Sequence, residues 1–156
     1  TAWAFSRLAV RNKPLLEAIS KAARRSGQDF RPQDISSIAW SFSTSGLRDP
    51  PLFDALSASA LRSISLFTPT DIANTAWSCA KLGYGNGPLM DSLAAPASAP
   101  IREFKASGLS NISWAYATLA YLVLPLMQAI SGQAIPRIAA LDARDISNIA
   151  FSFATL

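Results

Sequence analysis

The sequence predicts an all-α, right-handed α-α superhelix of about four and a half 37-residue helix-turn-helix repeats, because three columns of residues recur in one register. Trp3, Trp40, Trp77, Trp114 and Phe151 form the first column. Pro14, Pro51, Pro88 and Pro125, each followed by leucine (Leu15, Leu52, Leu89, Leu126), form the second. Phe30, Phe67, Phe104 and Leu141 form the third, and Asp34, Asp71 and Asp145 accompany them with Gly108 as the exception. The register divides the chain into units of about 1–32, 33–69, 70–106, 107–143 and 144–156, one continuous solenoid segment.

Each unit reads as two helices. Helix A is clearest after Thr68-Pro69-Thr70-Asp71, where Thr68 can cap, proline suits the first helical position and Asp71 can complete a capping box. It runs through Ile72, Ala76, Cys79 and Leu82 to Gly83, which can end it in a left-handed conformation. The expected A helices are 33–45, 70–82, 107–120 and 144–156. Helix B starts at the aligned prolines and carries Leu52, Leu56, Ala60 and Ile64 at helical spacing. Pro96 and Pro100 are expected to interrupt the third helix B, and Gly132 and Pro136 to weaken the fourth. Neither helix buries its apolar face alone, so stability must come from stacking. The chain begins and ends within A helices, which predicts a longer natural array.

Composition narrows the function. Half of the 156 residues are hydrophobic, which excludes a disordered chain. Charged residues make up 15%, below the roughly 25% of an average soluble domain, so neighbours are expected to cover much of the surface. Of the net charge of +4, residues 1–31 hold seven basic and two acidic groups, and the other 125 residues hold seven and eight. One cysteine and no histidine exclude a disulfide framework, a zinc cluster and histidine acid-base chemistry within this chain. There is no Gly-rich phosphate loop, paired catalytic carboxylates or metal-ligand spacing, so no enzyme, cofactor, metal or small-molecule substrate is expected. No signal or transit peptide is visible.

The motif Asp71-Ile72-Ala73-Asn74-Thr75-Ala76-Trp77-Ser78-Cys79-Ala80-Lys81-Leu82 is echoed by Asp145-Ile146-Ser147-Asn148-Ile149-Ala150-Phe151-Ser152-Phe153-Ala154. It resembles the octotricopeptide and heptatricopeptide repeat arrays of algal and alveolate organelle proteins, many of which end in a RAP domain. The resemblance implies a plastid or mitochondrial location and binding of organellar RNA in gene expression or ribosome-related work. Gly108 departs from the motif aspartate, and no RAP domain is present in this chain.

On a helical wheel Ile35, Ile38, Ala39 and Phe42 make one apolar face, and Ser36, Trp40 and Ser43 a second that meets the next repeat. The stripe left over consists of Ser37, Ser41 and Thr44, then Asn74, Ser78 and Lys81, Asn111 and Thr118, and Asn148, Ser152 and Thr155. Such donors and acceptors are what helical-repeat RNA readers aim at base edges. Equally, the asparagines can lock repeats together by hydrogen bonds. The tryptophans, present in every unit, read as core rather than as base-stacking residues. Cys79 shares a column with Phe5, Phe42, Tyr116 and Phe153 and reads as a buried hydrophobe.

Lys21, Arg24 and Arg25 on the first helix B, with Arg62 one repeat on, form either a ridge for phosphates or a solvated face. The uncharged stretch from Gly108 to Ile135 has the length of a membrane span, but Pro125 falls on the proline column, so no span is expected. Its turn, Tyr121-Leu122-Val123-Leu124, replaces the polar or flexible turns Arg48-Asp49-Pro50 and Gly85-Asn86-Gly87. An apolar turn at a solenoid edge predicts contact with a partner protein or with the margin of a membrane complex. Two functions therefore stand side by side: an organellar RNA-binding solenoid, and a scaffold subunit of a large organellar assembly such as a photosynthetic or respiratory membrane complex.

Overall fold

The computed structural model describes residues 13–26, 30–98 and 101–156, so Trp3, Phe5 and Pro100 lie outside the described residues. Eight α-helices and no strand occur among these residues. The B helices are α1 (Lys13–Ser26), α3 (Pro50–Ser63), α5 (Gly87–Ser98) and α7 (Leu124–Ala134). Alternating with them are the A helices α2 (Pro32–Ser45), α4 (Pro69–Leu82), α6 (Ala106–Thr118) and α8 (Ala143–Thr155), within two residues of the expected starts and ends. Short 3-10 turns at Ile64–Leu66, Ile101–Glu103 and Ile135–Ala140 lead from a B helix toward the next A helix.

Local chemistry explains the boundaries. Thr68 and Asp71 make the expected capping box: the Thr68 amide donates to Asp71 Oδ2 at 3.1 Å and the Asp71 amide to Thr68 Oγ1 at 3.3 Å. Gly46 and Gly83 end α2 and α4 at φ 67° and 64°, and the next amide in each case reaches back to the carbonyl of Phe42 or Cys79. Pro96 does not interrupt α5, which continues to Ser98; proline within a final turn deprives the helix of few bonds. The fourth helix B is weakened as expected, since α7 stops at Ala134 and gives way to a 3-10 turn that starts at Ile135-Pro136.

The helices form two layers, and successive A helices pack on one another far more extensively than successive B helices do. Small buried side chains permit the close approach: Ser36, Ala39 and Ser43 in α2, Ala73, Ala76 and Ala80 in α4, and Ser110, Ser113 and Ala117 in α6. Between the layers lies the core, with Phe42, Leu52, Ile72, Leu89, Leu93, Leu109, Tyr116 and Leu126 fully buried. Phe67, Phe104 and Leu141, from the third repeating column, close it where B leads into A. No helix among the described residues is long and apolar enough to cross a membrane, and the uncharged stretch is divided between α6 and α7.

Candidate nucleic-acid interface

The polar stripe lies along the A layer, together with the tryptophans, which their presence in every unit had marked as core. Trp40, Trp77 and Trp114 are half-buried, not buried, and follow one another as a ladder. Their ring centroids are 4.4 Å and 6.3 Å apart, with planes tilted by 30° and 37°. Trp40 packs on Trp77 and Trp77 on Trp114, and each of the three stays partly at the surface. The ladder continues in register to Phe151, which is exposed on α8. Lys81 Nζ sits 5.9 Å from the Trp77 ring centroid, within cation-π range.

Around the ladder the stripe is narrower than expected. Ser41, Ser78 and Ser152 are fully buried, and their hydroxyls donate to the carbonyls of Ser37, Asn74 and Asn148 at 2.7, 2.7 and 2.6 Å. A serine closed onto the preceding turn and covered by the adjacent helix cannot meet a ligand, which corrects its place among the base-reading residues. Asn148 is engaged too, donating to Ser110 Oγ of the preceding repeat at 3.2 Å, so the locking role holds at that position. Thr44 is exposed while its hydroxyl donates to the Trp40 carbonyl at 2.8 Å.

What stays open is Ser37 and Asn74, half-buried beside the ladder, with Lys81 and Thr118 exposed. Asn111 is the exception in kind. Only 8% of it is accessible, and its Oδ1 atom is buried with no hydrogen-bond partner. An unmet amide oxygen at such depth is costly and rare in a folded chain.

Lys21, Arg24 and Arg25 are exposed on α1, and Arg62 is exposed on α3. They belong to the B layer, so the structure does not merge them with the polar edge of the A layer into one site. Glu17 and Asp49 share the groove beside Lys21 and Arg24, which weakens its pull on phosphate. Cys79 is buried, and loss of solvent pushes its thiol up to about 12, so the group stays protonated and inert.

The turn from α6 to α7 is mixed. Leu122 and Leu124 are 50% and 60% exposed, whereas Val123 packs against the core. Tyr121 is half-buried: its hydroxyl donates to Asp91 Oδ1 at 2.8 Å and its ring meets Tyr116 edge-on at 6.2 Å. Tyr121 thus ties the turn to α5 while staying partly at the surface. One repeat earlier, Tyr84 donates to Asp54 Oδ1 at 2.6 Å. Both tyrosines and both aspartates are 37 residues apart, a pairing of columns that was present in the sequence and escaped the helical-wheel reading.

The same turn lacks two local devices. Asp49 and Asn86 cap α3 and α5 by accepting from the amides of Leu52 and Leu89 at 3.1 and 3.0 Å, whereas Val123 offers no cap to α7. Gly46 and Gly83 are succeeded in register by Ala120, which is held at φ 51°.

Comparison with known proteins places this geometry in a family. A family model described as RNA-editing substrate-binding complex 6 protein matches residues 2–156, nearly the whole chain. Among curated proteins no match is found. A helical repeat array with a polar, aromatic edge and a full-length match to that model means that the chain belongs to the RNA-editing substrate-binding complex 6 protein family.

Proposed function

We propose that this chain is a non-catalytic helical-repeat module that binds RNA along the outer edge of its A helices within an organellar RNA-editing or gene-expression assembly. The observation that carries this reading is the indole ladder of Trp40, Trp77 and Trp114, flanked by Ser37, Asn74, Lys81 and Thr118. Aromatic edges next to uncharged donors and a cation suit unpaired bases, which stack and pair with side chains in single-stranded RNA recognition. The family's name supports RNA and protein subunits as partners, and the likeness of the Asp71–Leu82 motif to octotricopeptide and heptatricopeptide repeats supports an organelle. Residues 1–156 act in this reading as one continuous segment of such an array.

Protein partners have a surface of their own in this proposal. The α6–α7 turn exposes Leu122 and Leu124 while it forgoes both a helix cap and a glycine at its left-handed position. Sequence choices that weaken local stability in one place are expected where the chain serves a contact. We assign this turn to a neighbouring subunit, and the basic ridge of Lys21, Arg24, Arg25 and Arg62 to secondary phosphate contacts.

Ultraviolet crosslinking of RNA on the native particle tests the reading. Crosslinks at Asn74, Trp77, Lys81 or Asn111 are expected. If peptides from all A helices stay free of RNA while Leu122 and Leu124 are shielded by a neighbour, the chain is a scaffold subunit instead.

A further inference from the structure

The junction between α4 and α6 differs from the other repeat junctions in a way that leaves a cleft. Between α2 and α4 the Ser36 hydroxyl donates to Asp71 Oδ1 at 2.7 Å, and the same carboxylate closes the α4 capping box. One repeat on, these two positions are Ala73 and Gly108, which have neither hydroxyl nor carboxylate. No side chain caps α6, whose N-cap residue is Lys105. A cleft of about 380 Å³ opens at the first turns of the two helices, bordered by Thr70 and Asn74 on one side and by Lys105, Ser107 and Gly108 on the other. Asn111 lines it as well, and its Oδ1 atom is the buried acceptor that lacks a donor.

Three features restrict what the cleft can take. The orphan acceptor calls for a ligand with an N–H or O–H group that reaches inward. The uncapped amides at the start of α6, next to Lys105, favour an anion. Glu103 also stands at the border, so one cation faces one carboxylate, and a bare inorganic anion gains little there. A molecule that carries a neutral hydrogen-bonding ring on one side and a phosphate on the other satisfies all three. Its volume also matches, since small-ligand pockets start at about 300 Å³.

We infer that this cleft holds a single RNA nucleotide, with an amine-bearing base (adenine, cytosine or guanine) donating to Asn111 Oδ1 and its phosphate at the start of α6 beside Lys105. The inference rests on the RNA-binding reading and adds to it a place where the array distinguishes bases. Uracil is disfavoured because its N3–H is recessed between two carbonyl groups and cannot reach a sunken acceptor. Gly108 keeps the site open. A β-carbon there would lie 3.2 Å from Phe104 Cδ1, and the carboxylate that the other repeats carry at this register position would repel a phosphate.

The test compares binding of oligocytidine and oligouridine of equal length to the full chain at fixed salt. Oligocytidine is expected to bind about five- to tenfold tighter, the scale of one well-placed hydrogen-bonded contact. Asn111→Ala should erase that preference by weakening oligocytidine alone. Lys105→Ala, at an exposed site that cannot disturb the core, should weaken both oligomers equally and lower the salt dependence. Inorganic phosphate at millimolar concentration should displace neither oligomer beyond the effect of its ionic strength. Equal binding of the two oligomers by the parent, or a preference that survives Asn111→Ala, overturns the cleft. If Lys81→Ala or Thr118→Ala weakens binding in that case, the RNA-binding edge stands without it. A parent chain that binds neither oligomer overturns both.

Discussion

Ala120 occupies the position where Gly46 and Gly83 end the earlier A helices, yet it keeps the same hydrogen bonds: the Ala120 amide donates to the Ala117 carbonyl at 2.9 Å and the Tyr121 amide to the Tyr116 carbonyl at 2.9 Å. Its φ of 51° crowds the β-carbon, which costs an L-residue roughly 1–2 kcal/mol. Ala120→Gly removes that strain and gives part of it back as unfolded-chain entropy. The variant should melt about 2–4 °C higher than the parent by circular dichroism. An unchanged or lower melting temperature would mean that the strain is absorbed elsewhere in the turn. Thr75 offers a second test, because its Oγ1 atom is buried without a partner among Ile35, Phe53, Leu56 and Cys79. Replacing it with the isosteric valine should stabilise the chain by about 1 kcal/mol in urea unfolding, since the desolvated hydroxyl is no longer left unmet.

At the scale of helices, the repeats are joined by ties that recur with the register. Tyr84 follows α4 and donates to Asp54 of α3, while its ring packs on Phe53 at 5.3 Å. Tyr121 and Asp91 repeat the tie between α5 and the end of α6. Arg137 makes a third connection, donating to the carbonyls of Phe104 and Arg102 at 2.9 and 2.7 Å, and so fixes the strand of chain that walls the α4–α6 cleft. Tyr84→Phe keeps the ring contact and loses only the hydroxyl. Partial exposure limits the loss to about 1 kcal/mol, and a double-mutant cycle with Asp54→Ala, which removes the acceptor, should show coupling of that size. Additive effects of the two substitutions would mean that the hydrogen bond contributes nothing to the stack.

For the molecule as a whole, burial of weak acids ties stability to alkaline pH. Desolvation pushes the Cys79 thiol from 9.0 up to about 12 and raises Tyr116 as well; Tyr84 is raised by burial and by its bond to Asp54. The folded chain therefore holds protons that the unfolded chain releases at ordinary thiol and phenol values, so the unfolded state binds fewer protons and stability falls as pH rises. The contribution is fully present below about pH 9, the unfolded thiol value, and is lost on the way to about 12. Melting temperatures should be flat between about pH 7 and 8.5 and decline above 9, and Cys79→Ala should delay the onset. A decline of the same onset in that variant would assign the effect to the tyrosines.

The stacking register, the helix starts at Pro51, Pro88 and Pro125 and the left-handed stop at Gly83 were all legible in the sequence, because each depends on interactions within a few residues or on strict 37-residue repetition. The column of Cys79 holds in part: Phe42, Cys79 and Tyr116 are in the core, whereas Phe153, in the same column on α8, is 45% exposed. What a single helical wheel cannot contain is how near the next helix comes. Small residues bring the A helices so close that Ser41, Ser78 and Ser152 disappear between them, although the wheel sets them on the open stripe. The same closeness displaces Trp40, Trp77 and Trp114 to the layer edge as a half-exposed ladder, instead of admitting them to the core. The sequence by itself determined which residues repeat and therefore that the chain stacks. Only the tertiary structure decided which members of each column face solvent, and that the Asn111 Oδ1 acceptor is left without a donor, because exposure and hydrogen-bond satisfaction depend on the distance between elements and not on the order within them.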